Sequence, residues 1–106
     1  MQNVIIKGKD NPVEFKFTFS GDFETNGLNN FTRITVTLGN ETYATDDATI
    51  KLFVDSPTEL RLTCGDVTAL DAGYYTPIIV GYNAIYDDGY ELNGRNKRKV
   101  DDVLVA

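Results

Sequence analysis

Histidine and tryptophan are missing from this 106-residue chain, cysteine and methionine occur once each, and proline occurs three times. Without histidine there is no imidazole base to activate a serine or cysteine nucleophile, and most zinc ligand sets are also excluded. Cys64 has no partner within the chain, so no disulfide framework is expected and a reducing compartment is the simpler reading. Cations are also scarce: 10 Lys and Arg stand against 16 Asp and Glu, a net charge of -6. That balance argues against general nucleic-acid affinity, which needs clustered cations and released counterions. Long apolar runs are lacking as well. Val4, Ile5 and Ile6 are too few for a signal-peptide core or a membrane span, and Leu104, Val105 and Ala106 carry no anchoring motif. The expectation is a soluble acidic domain, with no membrane and no nucleic acid among its partners. The sequons at Asn30 and Asn40 are then only a common polar pattern.

What the chain does have is alternation. Val13, Phe15, Phe17 and Phe19 alternate with Glu14, Lys16 and Thr18, which predicts a strand over residues 13–19 with one buried face. Ile34, Val36 and Leu38 repeat the pattern over residues 33–38, and Gly39 and Asn40 follow as a turn. Ile50, Leu52 and Val54 mark residues 49–55, while Leu60, Leu62 and Cys64 mark residues 59–64. Ser56 and Pro57 between them predict a hairpin. Over residues 74–83 neither face is clearly polar, which predicts a strand that is central or covered on both sides. Asp87, Asp88 and Gly89 form a turn signal between residues 84–86 and 90–92, and Val103 and Val105 mark a last strand over residues 99–105. The polar interval 20–30 reads as the longest and most variable loop.

No apolar pattern persists at helical spacing for three turns. The fold class is therefore all-β in a single domain over residues 1–106. Seven to eight short strands favour two packed antiparallel sheets over a closed barrel, and both satisfy the spacing. Six Phe and six Tyr supply core volume, at about 150 to 250 Å² of area per buried ring. A chain of this length buries roughly two-thirds of its unfolded surface, enough for a core without disulfides or metal.

One short motif has a mechanism. Asp71, Ala72, Gly73, Tyr74 and Tyr75 stand directly before an apolar strand. The stretch resembles the tyrosine corner of immunoglobulin-like domains, in which a tyrosine near the start of strand F bonds back to main chain a few residues upstream. The resemblance places Tyr75 in that role, Gly73 in the tight turn and Asp71 as an acceptor of local backbone N–H groups. It implies an immunoglobulin-like antiparallel β-sandwich, with Leu60 and Leu62 on the core side of strand E and Leu70 plugging one end. Pro77 stands where antibody domains carry their second disulfide cysteine, and no tryptophan packs there, so only the architecture carries over. The order of strands and the acidic, Cys-poor composition are also similar to small β-sandwich modules of tailed-phage virions, such as capsid decoration proteins and the N-terminal domains of baseplate proteins.

Candidate sites are few. Arg95, Lys97, Arg98 and Lys99 hold four of the ten cations, and read either as an electrostatic dock for an acidic neighbour or as a solvated loop. Tyr82, Tyr86 and Tyr90 gather around the 87–89 turn, and Phe53 falls on the polar side of its strand; these aromatics fit a protein interface, a sugar-stacking platform or core filling. Three adjacent acid pairs, Asp46 with Asp47, Asp87 with Asp88 and Asp101 with Asp102, offer oxygens but sit in no calcium loop, so no metal site is assigned. Cys64 reads as a small buried hydrophobe. No catalytic residue and no cofactor is assigned.

The function these readings predict is non-enzymatic: a structural or assembly protein of a tailed-phage virion, made in the host cytoplasm. Its partners are other virion proteins of capsid, neck or tail, or further copies of itself. The alternative is a carbohydrate- or receptor-binding β-sandwich module.

Overall fold

The computed structural model describes residues 3–19, 21, 23–47, 51–66, 68–93 and 100–106. Among them are ten strands, one 3-10 turn and no α-helix. The strands are β1 Asn3–Ile5, β2 Val13–Lys16, β3 Arg33–Leu38, β4 Glu41–Ala44, β5 Leu52–Ser56, β6 Glu59–Leu62, β7 Gly73–Tyr75, β8 Ile78–Tyr82, β9 Tyr90–Glu91 and β10 Val103–Val105. They form three small sheets in the orders β1-β10-β7, β2-β6-β5 and β4-β3-β8-β9. Every pairing is antiparallel except that of β1 with β10.

Alternation decides which side chains go inside. Val13, Phe15, Leu60, Leu62 and Leu52 from one sheet meet Ile34, Val36, Leu38 and Ile79 from another, with Ile5, Val103 and Val105 from the third, in one buried cluster. At roughly 25 cal/mol per Å² of apolar area removed from water, this burial is the main term favouring the fold. The hairpin of β5 and β6 closes at Pro57 and Thr58, as the Ser56–Pro57 signal predicts, with a register shift between Val54 and Ser56.

Several boundaries differ from the sequence reading, each for a physical reason. The 13–19 strand stops at Lys16, because its partner β6 begins at Glu59 opposite that residue; one further bond, Phe17 N–H to the Thr58 carbonyl, ends the ladder. Phe17 nevertheless stays buried. The interval 20–30 is not simply loop: Gly27–Asn30 is a 3-10 turn, and Leu28 within it is fully buried. Polar β4 was not expected, yet Gly39 and Asn40 reverse the chain so tightly that residues 41–44 pair with β3. Among the residues read as the strand 49–55, β5 starts at Leu52, and Ile50 lies outside the described residues. The last strand is Val103–Val105; residues 100–102 precede it without strand pairing, and Lys99 lies outside the described residues.

The largest correction concerns residues 74–83. They do not form one strand covered on both sides but two, β7 and β8, separated by Thr76 and Pro77 and hydrogen-bonded into different sheets. Proline has no N–H to donate, so the ladder breaks there. Asn93 repairs part of the break: its side chain is almost wholly buried, its Oδ1 accepts from the Ile79 N–H and its Nδ2 donates to the Pro77 carbonyl, both at 2.8 Å. The arms of the expected hairpin also shift. β8 pairs with β9, whereas Ala84, Ile85 and Tyr86 are bent. The cause is Asn83, whose Oδ1 accepts from the N–H groups of Ile85 and Tyr86 and so draws the chain out of the strand.

Candidate functional site

The corner at Tyr75 is built from three segments. The Tyr75 hydroxyl donates to the main-chain carbonyl of Asp71 at 2.8 Å. Asp71 thus contributes a carbonyl oxygen, where the sequence reading assigned it the acceptance of backbone N–H bonds. Gly73 has a φ of +150°, a region that disfavours side chains. The Tyr75 ring lies against Gly39, which has a φ of +59° in the β3–β4 turn; a Cβ there would come within 2.9 Å of the ring. Leu70 is buried beside it. Ala69 N–H donates to Glu41 Oε1, so the segment before the corner is tied to β4. Tyr43 of β4 donates its hydroxyl to Thr68 Oγ1, and burial pushes its phenol well above the ordinary range. Burial also raises the thiol of Cys64, which is enclosed. An enclosed thiol with a raised pKa is a poor nucleophile, in keeping with a packing role.

The tyrosines separate. Tyr86 and Tyr90 pack edge to face with centroids 5.0 Å apart, and both join Phe23, at 5.9 and 4.9 Å, with Phe31 behind. Tyr86 stays 37% exposed at the margin of this cluster, while Tyr90 is half-buried within it. Tyr82 lies outside those ring contacts, and its face is covered by the Arg33 guanidinium at 5.1 Å. Arg95, Lys97, Arg98 and Lys99 lie outside the described residues. Of the acid pairs, Asp46 accepts from Arg33 at 3.0 Å and Asp102 accepts from the Thr76 hydroxyl at 2.9 Å, while Asp87 and Asp88 form an exposed turn.

Sequence reasoning missed a charged cluster on the outer face of β2-β6-β5. Arg61 contacts Glu14 at 2.7 Å and Asp55 at 3.0 Å, and its guanidinium lies 5.6 Å from the Phe53 ring centre. The Arg61 hydrogen bond holds the Glu14 carboxyl below the usual range, and Glu14 in turn raises Arg61. Glu14, Asp55 and Glu59 bring oxygens within 4.8 Å of one another, but Arg61 already supplies the positive charge a metal would bring. No signal along the chain marks this group, because Glu14 and Arg61 are 47 residues apart and meet only through register. A cleft of about 480 Å³ opens nearby between Asn3, Glu14, Lys16 and Asp101. Its polar groups are of mixed sign and define no ligand.

The second surface of interest is the outward side of β7 and β8. Tyr74, Thr76, Ile78, Val80 and Tyr82 alternate with the inward Tyr75, Pro77, Ile79 and Gly81, and Tyr74 and Ile78 are 65% and 53% exposed. Ile78 stands opposite Thr37, Val80 opposite Thr35, and Thr37 opposite Thr42, while Arg33 stands opposite Tyr82 and the exposed Glu91 opposite Val80, so the uncharged row has a charge on either flank. Leu104 and Val4 extend it beside Tyr74.

No protein-family model, curated protein or solved structure matches this chain.

Proposed function

We propose that the chain is an immunoglobulin-like β-sandwich acting by recognition, as a structural or assembly component of a tailed-phage virion. The observation that carries the recognition part is the exposure of Tyr74 and Ile78, at 65% and 53%, in an outward row of Tyr, Thr, Ile and Val on a chain of net charge -6. An acidic domain that leaves Tyr74 and Ile78 in water, with the charges of Asp102, Glu91 and Arg33 at the edges of the row, has a surface suited to a protein partner.

Two features support the immunoglobulin-like part. In this reading the order β2-β6-β5 stands for strands B, E and D, β3 and β4 for C and C′, β7 with β8 for F, and β9 with β10 for G, with β1 as A. The Tyr75 bond to Asp71 lies at the start of the segment that takes the place of strand F. The viral part rests on the resemblance in strand order and composition. In this reading the protein is made in the host cytoplasm and is carried in the virion, bound to capsid, neck or tail proteins.

The test is co-sedimentation of purified protein with capsids and tails of the phage in whose genome the coding sequence lies. Saturable binding to one of the two, together with flanking capsid or tail genes, is the expected result. Absence of binding to both, or a genomic setting without virion genes, would overturn the viral reading.

A further inference from the structure

We infer that the free edge of β2 pairs antiparallel with β2 of a second copy about a two-fold axis at Phe15, joining two three-stranded sheets into one. The inference concerns a strand edge and is independent of the recognition reading of the β7–β8 side.

Register shows which main-chain groups are left over. Antiparallel strands alternate between pairs that exchange both main-chain bonds and pairs that exchange none. Phe17 donates to the Thr58 carbonyl at 2.9 Å, and the same register makes Phe15 with Leu60 and Val13 with Leu62 the bonded pairs. Glu14 with Arg61 and Lys16 with Glu59 are then the unbonded ones. The N–H and C=O groups of Glu14 and Lys16 therefore point away from β6, and no described residue bonds them. The cleft of about 480 Å³ opens along this edge, with Pro12, Glu14, Phe15 and Lys16 in its lining, and leaves room for an incoming strand. The other edges are less suited. β5 carries a register shift, and β4 is tied through Tyr43 and Glu41 to Thr68 and Ala69. β1 and β7 have 3 residues each and β9 has 2.

Charge selects the occupant. A two-fold axis at Phe15 places residue 14 of each copy opposite residue 16 of the other. Both have outward main-chain groups, so each such pair can exchange two bonds, and its side chains are a glutamate and a lysine. Charge then alternates across the joined sheet: Arg61 and Glu14 of one copy, already 2.7 Å apart, are followed by Lys16 and Glu59 of the second copy. An axis at Glu14 or at Lys16 would also match main chain to main chain, but it sets like charges opposite one another, which disfavours pairing. A lysine on a free edge ordinarily repels another strand, and here Glu14 answers it. Asp101, the remaining charge in the cleft lining, lies off the strand. The outer face of the sheet stays in water. The contact is short and each copy carries a net charge of -6, so the dimer belongs with the weak contacts that bury less than about 1,200 Å².

Sedimentation velocity of the purified chain, from about 1 µM to about 1 mM to cover weak association, reads the outcome directly. The expected result is a rise from monomer toward twice that mass. Lys16→Glu sets a carboxylate against Glu14 on both sides of the axis, and the dimer weakens at least about tenfold. Lys7→Glu makes the same change in net charge at an exposed residue off the strand, and weakens the dimer far less. A disulfide reads the register independently of any folding defect in Lys16→Glu. Directly opposite Cα atoms of a bonded pair lie about 5.5 Å apart, inside the disulfide range, whereas diagonal neighbours lie at about 7 to 8 Å, outside it. Oxidation of a mixture of Glu14→Cys and Lys16→Cys therefore gives the mixed covalent dimer above its statistical yield, at the expense of the two self-linked dimers. The native Cys64 is buried and stays out of the reaction. A monomer throughout the range, a dimer that Lys16→Glu weakens no more than Lys7→Glu does, or a mixed disulfide at no more than its statistical yield would overturn the inference.

Discussion

The two outward sheet faces share one core and treat water oppositely. On β2-β6-β5 the exposed side is laced with ionised groups, Arg61 reaching both Glu14 and Asp55 across strands. On β8 and β3 the exposed side is threonine, isoleucine, valine and tyrosine, and its cation, Arg33, stands at the margin with Asp46. A sheet whose outer face is only solvated can carry charge freely, since exposed ion pairs contribute little to stability and keep the protein apart from its neighbours. A face whose charges, Arg33 and Glu91, stand only at its flanks gives up part of that protection. Under the proposed reading, the contrast assigns recognition to the β7–β8 side and solvation to the other.

Changes beneath both faces should have the largest effect, because they do not distinguish the two sheets. Phe15→Ala removes a buried ring from the shared core and is expected to destabilise the fold by about 3 to 5 kcal/mol in chemical denaturation, with a single transition for both sheets. Two separated transitions would show that the sheets do not share one cooperative core. Asn93→Ala acts on the β7–β8 side alone. It strands the Ile79 N–H and the Pro77 carbonyl, at an expected loss of about 2 to 3 kcal/mol, and amide exchange should speed up at Ile79 before it does in β6.

Smaller effects sharpen the comparison. Tyr75→Phe deletes the bond to Asp71 and is expected to destabilise by about 1 kcal/mol, whereas Tyr74→Phe, one residue away and facing solvent, should change thermal stability by no more than a few tenths. Equal effects would mean that the corner bond contributes nothing. The smallest expected effect is electrostatic. Glu14 is held below its ordinary 4.5 by Arg61, and Asp66 below 3.8 by Lys51. A lowered carboxyl pKa contributes stability that is present above the unfolded value and is lost as pH falls through the folded one. The melting temperature should therefore decline on acidification below about pH 4.5, and Arg61→Gln should flatten the part of that decline due to the charged sheet. An unchanged acid profile in Arg61→Gln would remove Glu14 from the account.

Much of this was readable along the chain, and the failures have a common cause. Alternation at residues 13–19, 33–38 and 59–64 was enough to name Phe15, Ile34, Val36, Leu38, Leu60 and Leu62 as core, since period two is a property of the strand itself. Five residues around Gly73 were enough to point to the Tyr75 bond, because a corner is a local structure. The 74–83 strand was misread because exposed tyrosine and isoleucine look the same in sequence as buried ones. β4 was missed because its polar residues are held by pairing and not by propensity.

By itself the sequence determined the β class, the inward set of side chains and the absence of a histidine-based site, all of which depend on residue type and on neighbours one or two positions away. Only the tertiary structure decided that Pro77 divides one apolar stretch between two sheets, that Arg61 gathers Glu14 and Asp55, and which of two alternating faces meets water. Those outcomes are set by register and by what packs on the far side of a strand, and neither is encoded within any short window of the chain.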